Sequence, residues 1–439
     1  MGSKSGKLRS FAISPFLFPA LFAALLLAGS IESTAQTFST IYTFPGGSGG
    51  ANPGGLVQGK GGVLYSWTVY GGIPKSCGTV ACGTVFQLKP PAKSGGKWTK
   101  TTIYTFQGGT DGGWPAGKLL VGSKGELYGV TPVGGNATCN GGCGTVFQLV
   151  PPIKVGGAWT KNTIYSFGGP DGANPAAGVI ADSLGNLYGT TSVGGNSLSA
   201  SGVVFQLSPP LVMGTPWTET LIHTFNPNAL NHDGYDPRAE LLLDKTGTLY
   251  GTTANPGGCS FICGTLFAAI PPNTEGPIAF FGGLDGSQPA HIILRNGIVY
   301  GVTTKGGSNN SSYCGFPIDC GVIFEWNVTK STLYSFDGTN GLFPDAIVSD
   351  SNGALFVAAG AGGSNPSGCS GNGCGTILKL SKAGDQWTPT KIHDFTGGTD
   401  GSVPSSLINS AGVFYGTTSS GGSPTACKGR GCGTVFRIQ

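Results

Sequence analysis

Residues 186–195 read NLYGTTSVGG, and close variants return along the chain: LYGVTPVGG from Leu127, LYGTTANPGG from Leu249, VYGVTTKGG from Val299 and FYGTTSSGG from Phe414. A reactive site is needed once, so a stretch that returns this often reads as scaffold. Three further short segments surround the copy at 186: TIYSF (163–167), AAGVIAD (176–182) and GVVFQL (202–207). Each is rich in β-branched or aromatic residues and bounded by Gly, Pro, Asn or Asp, as strands are. The first segment recurs as Ile41–Phe44, Ile103–Phe106, Ile164–Phe167, Ile222–Phe225, Ile278–Phe281, Leu333–Phe336 and Ile392–Phe395, at spacings of 55 to 62 residues.

Seven units of four short strands predict an all-β fold, a seven-bladed β-propeller of four-stranded antiparallel blades. A β-helix is the rival, but its rungs need only about 20–30 residues. The chain opens on an IYTF segment and ends on GTVFRI (433–438). The phase therefore predicts that the N-terminal strand completes the last blade. That latch removes two free sheet edges.

Composition agrees. The 439 residues include 80 Gly and only 10% charged residues, which leaves little room for helices. Aromatics at 10% supply the apolar area that a disordered glycine-rich chain lacks. Residues 1–35 stand apart: Lys4, Lys7 and Arg9 precede an apolar run, Phe16 to Ala28, and Ser33 and Ala35 are small residues before Gln36. This predicts a secretory signal peptide over 1–35, cleaved before Gln36, and a single propeller domain over 36–439. Ser30 stands where a lipidated Cys would be. Without Lys4, Lys7, Arg9 and Glu32 the formal charge falls from +4 to +2, so no basic field argues for nucleic acid or an anionic membrane. A monomer without a membrane span in its mature part is expected.

GNLYGTT, the GG before a GTVFQL strand, and the DGANP turn together resemble the GloVer (Gloeobacter–Verrucomicrobia) tandem repeat of secreted bacterial proteins, which carry various C-terminal anchors. The resemblance covers essentially the whole mature chain and implies an architecture and a compartment, with no established reaction. The sequence stops at the last strand without a sorting tail, so free secretion or periplasmic residence is expected.

The 12 cysteines fall in close pairs: Cys77/Cys82, Cys139/Cys143, Cys259/Cys263, Cys314/Cys320, Cys369/Cys374 and Cys427/Cys432. All are expected in the loop between the YGTT and GTVF strands, and only the third repeat lacks a pair. Even number, local pairing and an export signal predict six disulfides within loops. Zinc needs four ligands where each loop offers two.

D-x-x-G turns (182–185, 244–247, 350–353) should lie on one rim of the ring. The Cys loops and the DGxxP connections then share the other, where binding is expected because function sits on loops held by a rigid scaffold. Asp111, Asp171, Asp233, Asp285 and Asp400 occupy one repeat position, replaced by Asn340 and Gly49 elsewhere. Asp-Gly followed by Pro is first a turn. A ring of carboxylates binding calcium or polar ligands is the sharper alternative, although no dedicated calcium loop is present. Trp114, Tyr235, Tyr313 and Phe343 could stack on sugars, or pack between blades. Trp98, Trp159, Trp217 and Trp387, each before an outer strand, read as structural.

Catalytic signals are sparse. His223 and His393 stand where other copies carry Tyr, which leaves His232 and His291 as candidates. GGSGG (46–50) lies in a glycine loop and makes no nucleophile elbow. The expected function is a secreted, non-catalytic module that binds a glycan or an extracellular protein and needs no cofactor. A polysaccharide lyase or hydrolase using carboxylates on the loop-rich rim is the alternative, and a structural envelope module is the third.

Overall fold

In the computed structural model, seven antiparallel sheets follow one another along the chain. Residues 1–3 and 36–439 are described, apart from 94, 155, 196–200, 213, 227–232, 256–262, 272–273, 309–313, 315–319, 366–367 and 424. Residues 4–35 of the expected signal peptide, Cys259, Tyr313 and His232 thus lie outside the described residues. Thr37–Gln439 forms the compact unit discussed below.

Each sheet is a blade of a seven-bladed β-propeller. Blade 2 is typical: Ala116–Val121 innermost, then Leu127–Thr131, Thr145–Val150 and Thr160–Ser166 outermost. Blade 7 is composite. Phe38–Thr43 pairs antiparallel with Thr434–Ile438, so the N-terminal strand closes the ring as the phase of the repeat predicts. Thr37 and Gln439 exchange both backbone hydrogen bonds, at 2.7 and 3.1 Å.

The TIYSF segment recurs for a steric reason. In all seven blades the outer strand slips register at its aliphatic residue, Ile41, Ile103, Ile164, Ile222, Ile278, Leu333 or Ile392. Such a bulge bends the strand and re-aims the residues that follow. The Phe at its end then packs edge-on against the next blade's third strand. Phe106–Phe147, Phe167–Phe205 and Phe225–Phe267 have ring centroids 5.3, 5.1 and 5.2 Å apart. Toward the other rim Trp98, Trp159, Trp217 and Trp387 meet the tyrosines Tyr415, Tyr65, Tyr128 and Tyr300 of the preceding blade. The structural reading of these tryptophans describes their surroundings.

The D-x-x-G turns close as expected, with Gly185, Gly247 and Gly353 N–H donating to the carbonyls of Asp182, Asp244 and Asp350. One element is shorter than the sequence suggests: the inner strand of blade 3 is only Ile180–Ala181. Five disulfides staple the loops after the second strands: Cys77–Cys82, Cys139–Cys143, Cys314–Cys320, Cys369–Cys374 and Cys427–Cys432, with Cα separations of 5.0 to 5.4 Å.

The sixth expected pair, Cys259 and Cys263, differs from these. Cys263 is not a loop residue but the first residue of the third strand of blade 4, Cys263–Ile270. The outer strand there runs on to Gly282, which gives the Cys263 backbone a partner in the ladder. In blade 2 the third strand starts only at Thr145, two residues after Cys143. The Cys263 side chain, like the whole of Cys259, lies outside the described part of the chain, so the disulfide expected between them does too.

Candidate functional site

The repeated aspartates sit in hydrogen-bonded turns. Asp111 Oδ1 accepts from Tyr104 Oη at 2.7 Å and its Oδ2 from Gln107 N–H at 2.8 Å. Asp171 takes Tyr165 Oη and Gly168 N–H, both at 2.7 Å. In blades 3 and 6 a histidine replaces the tyrosine: His223 Nε2 lies 2.8 Å from Asp233 and His393 Nε2 lies 3.2 Å from Asp400. Where the carboxylate is Asn340, its amide reaches Tyr334 at 3.0 Å. Lys161 and Lys330 add ion pairs to Asp111 and Asp285 at 2.9 and 2.6 Å. Burial, followed by the hydrogen bond and charge of the aspartate, raises the phenols of Tyr104 and Tyr165. These carboxylates are held by internal donors. Among the described residues no three His, Cys, Asp or Glu side chains lie close enough together to hold a metal ion.

A different set of polar groups converges on the axis of the ring. The inner strand of every blade pairs with the second strand's aromatic residue, at Val57, Leu120, Ile180, Leu242, Ile293, Val348 and Ile408. Two residues earlier stand Gly55, Lys118, Gly178, Glu240, His291, Ala346 and Ser406. All of these but Gly178, together with Arg238, Asp345 and Ser405, line a cavity of about 300 Å³ in the central channel.

The glycines let the others meet. A Cβ at Gly178 would collide with the Lys118 carbonyl and approach Glu240 Oε1 to 2.9 Å. Glu240 accordingly reaches across blade 3 to accept the Lys118 backbone N–H. Burial raises its carboxyl, while the charge and backbone N–H of Lys118 oppose the rise. His291 Nδ1 accepts the Ile347 N–H at 3.3 Å, so the ring is neutral with its remaining proton on Nε2. Burial, and then the Lys118 charge, push it down to about 4. Ser406 Oγ likewise accepts the Leu56 N–H at 3.1 Å. Asp345 is exposed to the channel, and desolvation by the surrounding ring pushes its carboxyl up to about 6.

A second ring rims the channel. The residue before each inner-strand proline adopts positive φ in all seven blades: Asn52, Trp114, Asn174, Asp236, Gln288, Phe343 and Val403, at 54 to 60°. Backbone N–H groups of Asn52, Trp114, Asn174, Phe343 and Val403 donate to the carbonyls of Cys432, Cys82, Cys143, Cys320 and Cys374 in the preceding loop. This backbone region is strained for side-chain-bearing residues, most of all for β-branched Val403. Sequence reading singled out Trp114 and Phe343 without seeing that they share one position. Tyr235 instead begins an inner strand, half-buried and paired with Asn255.

Comparisons place this geometry. The Gloeobacter/Verrucomicrobia repeat matches residues 29–267 and 153–315. The chain belongs to this repeat family. No curated protein matches it. Among solved structures, a streptogramin B lyase is similar over 92% of this chain and 98% of its own, with TM-score 0.52 and 12% identity. A fungal alcohol oxidase in complex with copper is similar over 92% and 76%, with TM-score 0.54 and 15% identity. At such identities the likeness shows the propeller alone, so the function of this member of the repeat family rests on its own site.

Proposed function

We propose that the protein is a binding module of an oxidising, extracytoplasmic compartment that takes a hydroxyl-rich ligand, a glycan, at the mouth of its central channel. One observation carries this reading. Lys118, Glu240, His291 and Ser406 occupy a position where blades 1 and 3 have glycine, so the scaffold does not require a side chain there. Donors and acceptors set side by side in a cavity of about 300 Å³ suit a ligand carrying both kinds of group. The disulfides support the compartment.

Catalysis is the second reading, favoured by one feature. Asp345, Glu240 and His291 all have displaced acidities in one cavity, as general acids and bases do. The experiment separating the two is incubation of the purified protein with a panel of insoluble polysaccharides. Pelleting reports binding, and chromatography of the supernatant reports released sugars. Retention without products, lost in Lys118→Ala and Glu240→Gln, supports the binding module. Released products replace it with the enzyme, and the absence of both signals rejects both.

A further inference from the structure

A second cavity, of about 360 Å³, opens beside the channel across blades 5 to 7. Phe343 and Val403, two of the strained rim residues, form its apolar walls, and Thr304, Asn372 and Ser405 contribute hydroxyl and amide groups. Asp345 belongs to both cavities and joins them.

The charge around Asp345 is what separates this cleft from the channel. Lys118 acts on Glu240 and His291. Arg238 is taken by Asp236 at 2.8 Å, Lys161 by Asp111, and Lys330 by Asp285. Among the described residues no cation pairs with Asp345, and no hydrogen bond engages its carboxylate. A carboxylate that faces both cavities without a counter-charge leaves a place for a cationic ligand group. Beside it, an aromatic ring is held at a φ of 54° by the bond from Phe343 N–H to the Cys320 carbonyl.

We infer that this cleft is a subsite for an amine-bearing sugar, whose ammonium donates to Asp345 while an apolar face of its ring lies on Phe343. The ring hydroxyls then meet Ser405, Asn372 and Thr304. The volume lies near the small end of ligand pockets, which run from about 300 to 1,000 Å³. This inference rests on the glycan reading of the channel and narrows it to a basic glycan.

The test is calorimetric titration of the full chain with three β-1,4-linked tetramers: of glucosamine, of N-acetylglucosamine and of glucose. The glucosamine tetramer should bind roughly tenfold more tightly than the other two. Asp345→Asn should bring it down to their level. The preference should also shrink as salt is raised, an outcome that needs no variant. Equal affinity for all three tetramers overturns the inference and leaves the glycan reading standing, as does a preference that survives Asp345→Asn. Failure of all three tetramers overturns it as well, and the polysaccharide panel then decides whether the glycan reading falls with it.

Discussion

The carboxylates of the outer turns and those of the channel are the same chemical group in opposite circumstances. Asp111 at its turn accepts from Tyr104, from Gln107 N–H and from Lys161, and the tyrosine and the backbone N–H recur at Asp171 in the next blade. Asp345 in the channel has none of them. The partners of the turn vary together along the chain. Where Gly49 replaces the aspartate, the equivalent lysine, Lys100, lies 5.2 Å over the Phe86 ring, and burial lowers its pKa to about 8. Repetition with matched partners marks scaffold, and an unpaired charge facing a cavity is a candidate for function.

The comparison can be broken first at its stable end. Asp111→Ala would strand the Lys161 ammonium, which is only 5% exposed, and should destabilise the protein by about 3 kcal/mol in denaturant unfolding. A loss below about 1 kcal/mol would mean that the turn aspartates are not scaffold. Replacing Cys369 and Cys374 by Ala should cost about 2 kcal/mol through a freer unfolded chain. The same double variant should weaken binding in the cleft, because Cys369 lines it and the freed loop no longer fixes the Cys374 carbonyl that holds Val403 N–H at 2.9 Å.

Blade 3 offers a sharper version of the same contrast. Glu219 stands where blade 2 has Lys161, facing Asp171 instead of pairing with it. Its Oε1 is buried without a hydrogen-bond partner. Burial, and then the Asp171 charge, push its carboxyl up to about 7. Because the folded state holds that proton more tightly than the unfolded chain, stability falls as pH rises through 7. Glu219→Lys should restore the ion pair of its siblings and raise stability by roughly 1 kcal/mol, more at pH 8 than at pH 6.

The smallest expected effect lies in the channel. The raised Asp345 carboxyl favours the protonated form, so its charge opposes folding above about pH 6 and is absent below its ordinary range near 4. Asp345→Asn should melt slightly higher than the native protein at pH 7, and the difference should vanish by about pH 4. A variant that gains stability while losing a ligand is the signature of a residue kept for function.

Most of the scaffold was legible in the sequence because each of its features is written seven times. The blade count, the composite last blade and the five described loop staples all follow from that repetition. Cys263 was misplaced by the same logic, since a longer outer strand in one blade draws it out of the loop and into the sheet. The bulge at each outer-strand aliphatic residue was not legible, because it alters pairing without altering residue type. The channel was harder still. Lys118, Glu240, His291 and Ser406 differ in chemistry, and proline spacing shifts by one residue between blades 4 and 5, so only strand register aligns them. His291 was noticed as a histidine, yet the Ile347 N–H that fixes its tautomer lies 56 residues away. The left-handed ring had one usable signal: the residue before each inner-strand proline varies freely inside an otherwise constant motif.

The most direct test of the account is a side-by-side titration of the glycan retained in the panel against two variants, Lys118→Ala/Glu240→Gln in the channel and Asp111→Asn at the turn. The account predicts a loss of roughly tenfold or more for the channel variant, with the turn variant within about twofold of native affinity despite its lower stability. Binding that survives in the channel variant and disappears in the turn variant would contradict it, and would return the site to the outer turns.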